Sequence, residues 1–121
     1  MYGVPAELDL TPFIGVDLNQ IGLGRFQVSF CFSGAGTIAC TGHWELRAPN
    51  GELIDAECPH ESRDCYRLHQ ILDLQVVRYS VDPPRSFTLV FGTGHALTVY
   101  DDSEQYESVL LRMDSGALVV I

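Results

Sequence analysis

Residues 25–53, RFQVSFCFSGAGTIACTGHWELRAPNGEL, decide the predicted fold. Apolar and polar side chains alternate on both sides of the glycine-containing loop 34–36, which is the pattern of a β-hairpin. A further strand, WELR at 44–47, runs into PNG at 49–51, where proline presets φ and Asn-Gly tolerates positive φ. The stretch therefore predicts three antiparallel strands in succession.

Side-chain parity predicts which residues of these strands face the core, because successive side chains of a strand point to opposite faces. The inward set is even-numbered: Phe26, Val28, Phe30, Phe32, Ile38, Cys40, Trp44 and Leu46. A three-residue loop at 34–36 opposes Phe32 to Ile38 and Phe26 to Trp44. Cys31 and Cys40 then lie on opposite faces, which argues against a disulfide between them.

The C-terminal half repeats this pattern as SFTLVFGTGHALTVYDDSEQYESVLLRMDSGAL from Ser86. Because a lone hairpin is marginal in water, two such units are expected to cover each other's apolar faces. We predict a single domain, 1–121, with an internal repeat of residues 13–54 and 71–121. The alternative is that two antiparallel segments share alternation and glycine turns without being copies. The matched segments are 16–18 with 72–74, 26–30 with 87–91, Trp44-Glu45 with Tyr106-Glu107, Leu46-Arg47 with Leu111-Arg112, and 51–53 with 116–118.

A helix is predicted near 62–73, between the two halves. Ser62 is a candidate N-cap, and Cys65, Leu68 and Leu72 fall at i, i+3 and i+7. Strands are expected at 13–20 and 75–81. The predicted fold class is α+β: a mainly antiparallel β sheet or partly open barrel, made from two similar β-rich halves with one helix between them.

The charge of the chain excludes some partners. Seven basic residues, all arginine, stand against sixteen acidic ones, for a net charge of -9. This field repels phosphate backbones and anionic lipid, so we expect neither nucleic acid nor membrane as a partner. It suits a basic protein partner, and the acidic run at 101–104 is either a contact for that partner or a solvated loop. The alternative is an acidic surface that only keeps the protein soluble.

The N-terminal residues MYGVPAELDL carry no positive charge and no apolar h-region. They therefore do not resemble a secretory signal, and the expected localisation is the cytoplasm, where thiols are reduced.

Cys58, His60, Cys65 and His69 form the sharpest chemical pattern. Cys65 and His69 are four residues apart on the predicted helix, and Cys58 and His60 precede it. Zinc binds four Cys and His ligands of this kind, so we name these residues a candidate zinc site, although the spacing departs from standard fingers. The alternatives are that Cys65 is a small core residue beside His69, or that Cys58 and Cys65 form a disulfide. No other cofactor is predicted.

The sequence contains no recognised catalytic constellation. Cysteine–histidine catalysis needs a thiol beside an oriented base, and parity places Cys40 and His43 on opposite strand faces. The glycine loops are not followed by helices, so they are hairpin loops and not phosphate cradles. His43 and Glu45 share the face opposite Trp44, which is typical of the wet side of a sheet. We therefore expect a protein that is not an enzyme.

Three segments carry a resemblance: Gly15 to Ile21, Trp44-Glu45-Leu46 and Tyr106-Glu107-Ser108. Together they resemble a family of small bacterial proteins of unknown function, which implies no activity and no site residues. Small acidic bacterial α+β proteins include immunity proteins that block toxins. The expected function is a non-catalytic protein-binding module, for example of the immunity or adaptor type. The alternative is a small-molecule or zinc-binding domain with a pocket near the helix. Homodimerisation through an edge strand or apolar face is also expected.

Overall fold

The computed structural model describes residues 3–57, 65–101 and 109–121. Within these ranges the protein is mostly antiparallel β, with two five-stranded sheets that do not close into a barrel. Short 3-10 turns at Thr11–Phe13 and Leu68–Ile71 precede β1 and β6. The strands are β1 Leu18–Leu23, β2 Val28–Phe32, β3 Gly36–Cys40, β4 Trp44–Arg47, β5 Leu53–Ala56, β6 Val76–Asp82, β7 Ser86–Phe91, β8 Ala96–Tyr100, β9 Val109–Met113 and β10 Leu118–Val120.

Each sheet is built from both halves of the chain. Sheet I has the strand order β1-β2-β3-β9-β10, and sheet II has the order β5-β4-β8-β7-β6. The hairpin β9–β10 of the second half therefore completes the sheet of the first half, and β4–β5 completes the sheet of the second. The sequence predicted two self-contained units that pack together. The structure instead exchanges a hairpin between them.

The register of the first hairpin keeps the predicted parity but differs by two residues. Phe30 pairs with Ile38, and Phe32 pairs with Gly36 rather than with Ile38. Gly36 begins β3 instead of belonging to the loop. A side chain at this position would collide with the carbonyl oxygen of Arg112 in β9. Glycine thus lets β9 approach β3 closely enough to join sheet I.

Phe26 was predicted to face Trp44, and this prediction is wrong. Phe26 is 77% exposed in the turn between β1 and β2, where the Arg25 guanidinium lies over its ring at 5.1 Å. Trp44 lies in sheet II, where β4 pairs with β8 and not with β2.

An isolated bridge between Asp17 and Gln75 marks where the two halves meet. The hydrogen bonds around it come in pairs of equal length, which indicates a local two-fold relation between the halves. The pairs are Gly15 N–H to Val76 C=O and Asp73 N–H to Leu18 C=O, both 2.7 Å, and Leu18 N–H to Leu74 C=O and Val76 N–H to Val16 C=O, both 3.1 Å.

The two turns within the exchanged hairpins also correspond. Ala48 N–H donates to Glu52 C=O at 2.8 Å, and Met113 N–H donates to Ala117 C=O at 2.9 Å. This relation equates Arg47 with Arg112 and Leu53 with Leu118, as the sequence matching had them.

Other sequence matches are shifted. Trp44 pairs with Val99 and Val109 pairs with Cys40, so the structural counterpart of Trp44 is Val109 and not Tyr106. Likewise, residues 28–32 correspond to 87–91, and 16–18 to 74–76. Tyr106 and Glu107 lie outside the described residues. That the two halves are copies within one domain stays a prediction.

No α-helix occupies the described part of the predicted helix at 62–73. Residues 62–64 lie outside the described ranges, and the remainder holds only the 3-10 turn Leu68–Ile71. Leu72 is extended and Asp73 has φ 67°, so the turn cannot continue as a helix. The predicted strand at 13–20 is also wrong at its start, because Thr11–Phe13 forms the matching turn and β1 begins at Leu18.

The apolar faces of both sheets share one core. Phe30 of sheet I and Phe91 of sheet II belong to the same buried cluster, and Phe30 meets Trp44 edge-on with ring centroids 6.5 Å apart. The N-terminal segment contributes Val4, Leu8 and Leu10 to this core. Neither sheet is therefore covered without the other.

We expect Phe30→Ala to destabilise the whole molecule by about 3–5 kcal/mol, the usual cost of deleting a buried aromatic ring. Because the halves are interlocked, Trp44 fluorescence and far-UV circular dichroism should report one shared, lowered thermal midpoint. Phe26→Ala is the control, since an exposed ring should change stability by no more than about 0.5 kcal/mol. Separate midpoints for the two probes in Phe30→Ala would contradict the interlocked architecture.

Candidate functional site

The outer face of sheet II carries a group of polar and aromatic side chains that contact one another. Strand alternation buries Trp44 and Leu46 and turns Glu45 and Arg47 outward, with His43 just before them, as parity predicted for His43 and Glu45. The pairing of β4 with β8 brings Tyr100 alongside, where its N–H donates to His43 C=O at 2.9 Å. We call His43, Glu45, Arg47 and Tyr100 the His43 cluster.

Glu45 is the centre of the His43 cluster. One carboxylate oxygen, Oε2, lies 3.2 Å from His43 Nε2, and the other, Oε1, accepts a hydrogen bond from Arg47 Nη2 at 3.0 Å. Arg47 Nη1 also donates to the Gly51 carbonyl at 3.0 Å. The rings of His43 and Tyr100 stack at 4.5 Å with 17° between their planes. These contacts hold all four side chains in one arrangement.

The surroundings of Tyr100 raise the pKa of its phenol. Desolvation raises its pKa above the ordinary value of 10.0, and the negative charge of Glu45 raises it further, while Arg47 acts in the opposite direction. The Glu45 carboxylate, as a hydrogen-bond acceptor, also favours the protonated form. Tyr100 therefore keeps its phenolic proton at neutral pH, and the contacts of Glu45 are with His43 and Arg47.

The fold does not require the His43 cluster. By the two-fold relation, the position of Glu45 corresponds to Leu110 on sheet I, and that of Tyr100 corresponds to Thr41. Arg47 alone keeps its residue type, as Arg112. The same backbone arrangement therefore forms with an aliphatic and a small side chain at the equivalent positions, and the polar, aromatic group belongs to one face only.

The thiol of Cys40 takes no part in the His43 cluster. It is 1% exposed and lies 3.5 Å from the Gly42 carbonyl and 3.9 Å from the His43 carbonyl. Sγ therefore contacts the backbone on the core side, while the imidazole lies on the outer face. Thiol and imidazole are separated as the sequence predicted, and the cluster brings together one carboxylate, one imidazole, one guanidinium and one phenol on the outer face of sheet II.

Of the candidate zinc ligands, Cys58 and His60 lie outside the described residues. Cys65 and His69 are exposed, and Cys65 Sγ accepts a hydrogen bond from Arg67 Nη1 at 3.3 Å. The helix predicted to align Cys65 with His69 does not form, since the 3-10 turn begins at Leu68. In the described ranges no three His, Cys, Asp or Glu side chains are placed to hold a metal. The four-residue zinc site, the disulfide between Cys58 and Cys65, and the small-molecule pocket stay predictions.

A buried carboxylate, Asp55, was missed by the sequence reasoning. It is 3% exposed in β5; its Oδ2 accepts Arg67 N–H at 2.7 Å, and its Oδ1 accepts Ala56 N–H at 2.9 Å. Arg67 Nε donates in turn to the Ile54 carbonyl at 2.5 Å. Asp55 thus fastens the residues before the second 3-10 turn to the edge of sheet II. The sequence does contain a signal for a buried carboxylate, since Asp55 is the one acidic residue in the otherwise apolar strand LIDA.

Comparison with known proteins finds no matching family model, no matching curated protein and no matching solved structure. The resemblance to a family of small bacterial proteins therefore stays a prediction, and the site rests on geometry alone.

Among the described residues, no helical segment has the length and apolar character needed to cross a membrane.

We expect Asp55→Ala to lower the free energy of unfolding by about 1–3 kcal/mol, because two partly buried N–H groups lose their acceptor. Asp82→Ala is the control: its ion pair with Arg85, at 3.5 Å, is largely exposed and should be worth less than about 1 kcal/mol. Urea unfolding of both variants measures the difference. Equal effects would refute the anchoring role of Asp55.

The titration of Tyr100 tests the geometry of the His43 cluster. Ultraviolet difference titration of wild type against Tyr100→Phe should give a phenol pKa above 10.0. Glu45→Gln should lower it only part of the way, since desolvation, the largest cause, remains. Because the folded state holds this proton more tightly, the stabilisation is complete below the ordinary pKa and is lost as pH rises through the folded pKa. An ordinary pKa for Tyr100 would contradict the described environment.

Proposed function

We propose that this protein is a non-catalytic protein-binding module that binds a basic partner through the outer face of sheet II. The observation that carries the proposal is the His43 cluster, a group of aromatic, guanidinium and carboxylate side chains on the outer face of sheet II. Of its four residue types, only the arginine is found at the equivalent position of sheet I, as Arg112. An immunity or adaptor-type protein, which covers or tethers another protein, is its most concrete form.

The composition of the His43 cluster suits a protein interface. Tyrosine and arginine are enriched at the energetic centres of interfaces, because they combine a large contact area with directional hydrogen bonds. The side chains of Arg47 and His43 are 46% and 35% exposed, so both are accessible to a partner. Stacking and hydrogen bonding already fix the four side chains, and binding therefore orders little that is not already ordered.

The charge distribution favours a basic partner. Several of the arginines are engaged within the chain: Arg47 with Glu45, Arg67 with the Ile54 carbonyl, and Arg85 with Asp82. Exposed carboxylates include Asp17, Glu52, Asp73 and Asp114. With a net charge of -9, the surface potential is negative, which speeds the approach of a positively charged protein and repels acidic ones.

The arrangement of the His43 cluster also argues against catalysis. A general base needs an available lone pair within reach of a substrate proton. The Glu45 side chain is 18% exposed, and its carboxylate is shared by His43 and Arg47. The only thiol close in sequence, that of Cys40, points into the core.

Affinity capture from a lysate of the native host tests this function. We expect the immobilised wild-type chain to retain one basic protein, with binding that weakens as salt is raised. Arg47→Ala and Tyr100→Ala should each weaken binding of that purified protein by at least about tenfold, which corresponds to about 1.4 kcal/mol. Calorimetry with the purified pair gives these affinities.

Arg112→Ala is the matched control, because Arg112 occupies the equivalent position on sheet I and should leave the affinity unchanged. Recovery of an acidic protein, equal affinity for all variants, or loss only in Arg112→Ala would each overturn the assignment.

A further inference from the structure

The two exchanged hairpins end in equivalent edge strands, β5 in sheet II and β10 in sheet I. The edge of β5 is covered, because Arg67 donates from Nε to the Ile54 carbonyl and from its backbone N–H to Asp55. Exposed strand edges with unpaired backbone groups are templates for pairing with another strand. Comparing the two edges therefore shows which of them is open.

Within residues 3–57, 65–101 and 109–121, nothing covers the outer edge of β10 in this way. No described residue forms a hydrogen bond to this edge, and the backbone hydrogen bonds of β10 all join it to β9. Leu118 is 56% exposed, and Val119 and Val120 are half-buried. Val119, opposite Leu111, stands where β5 has Asp55, opposite Leu46. The Asp55 carboxylate, which binds the segment that covers β5, is thus replaced on β10 by an aliphatic side chain.

The direction of the free backbone groups follows from the ladder. Ile121 exchanges both hydrogen bonds with Val109, at 2.9 and 3.1 Å, and Ala117 C=O accepts Met113 N–H at 2.9 Å. Bonded pairs alternate along an antiparallel ladder, so Leu118 and Val120 direct their N–H and C=O groups away from β9. Two donors and two acceptors therefore line the open edge, placed evenly about Val119.

We propose that β10 is a homodimerisation strand and that a second copy of the chain pairs with it antiparallel about a two-fold axis at Val119. Leu118 of each copy then lies opposite Val120 of the other, and the two residues exchange both backbone hydrogen bonds. Four hydrogen bonds close the junction, and the two copies of sheet I become one ten-stranded sheet.

The lack of acidic side chains on β9 and β10 favours a second copy of the chain as the partner that pairs with β10. A chain of net charge -9 repels its own copies wherever carboxylates face each other. Residues 109–113 and 117–121 contain one charged side chain, Arg112, and no side-chain carboxylate, so the paired strands themselves bring no carboxylates face to face. A basic partner gains nothing from this edge, and the proposal is therefore independent of the binding face on sheet II. The strand of a second copy is also already ordered by its own sheet, so pairing costs little conformational entropy.

Sedimentation equilibrium of the full chain over a wide concentration range tests the proposal. We expect wild type to approach twice the 13.4 kDa mass of one chain. Val120→Pro removes an outward N–H without removing a bond to β9, and should give a folded monomer by circular dichroism. Leu53→Pro changes the position on β5 that is equivalent to Leu118, and should leave the dimer intact.

A charge-swap pair tests the register and does not depend on a proline. Leu118→Lys/Val120→Lys places like charges opposite each other across the two-fold axis, as does Leu118→Glu/Val120→Glu, so each double variant alone should be monomeric. An equimolar mixture should form a heterodimer, which also shows that both variants fold. A monomeric wild type, a dimer that survives in either charged variant, or failure of the mixture to associate would overturn the proposal.

Discussion

The structure depends on two backbone ladders, β3 with β9 and β4 with β8, because these are where each half of the chain enters the sheet of the other. Without them each half would leave a three-stranded sheet and a detached hairpin, and neither would bury its apolar face. Gly36 makes the first ladder possible by letting the Arg112 carbonyl approach the backbone of β3. The short hydrogen bonds around the Asp17–Gln75 bridge then hold the starts of β1 and β6 together.

The exchange also creates the candidate site. His43, Glu45 and Arg47 come from the first half of the chain, and Tyr100 comes from the second, so Tyr100 joins the other three only because β4 lies beside β8. The equivalent ladder on sheet I places Leu110 and Thr41 in those positions. One backbone plan thus supports a polar, aromatic cluster on sheet II, whereas on sheet I only Arg112 of the equivalent residues is charged. The two-fold relation supplies an internal comparison that separates what the fold needs from what is particular to one face.

Local signals in the sequence predicted the strands and their faces but not how they combine. Parity depends on neighbouring residues, so the inward positions of Val28, Phe30, Ile38 and Leu46 were predicted correctly. Hairpin exchange could not be predicted, because alternation is equally satisfied whichever antiparallel strand lies alongside. The spacing of Leu68 and Ile71 suits a 3-10 turn as well as a helix, and the extended backbone of Leu72 with the positive φ of Asp73 ends it as a turn. His43 and Glu45 were placed on one face, but their neighbour Tyr100 is distant in sequence, and so the cluster itself was missed.

The two proposed contacts have a joint geometric consequence. An antiparallel pairing of β10 strands has its two-fold axis perpendicular to the joined sheet, so both copies of sheet II pack on the same side of it. Their outer faces, each with a His43 cluster, then point in one direction. A dimer of this kind presents two equivalent binding faces to a single large or repeated partner. Engaging the second face becomes an intramolecular step, which strengthens binding without any new contact, provided that the spacing of the partner's sites matches. A partner with a single site gains nothing from the pairing, so a difference in affinity between dimer and monomer would identify a multivalent partner.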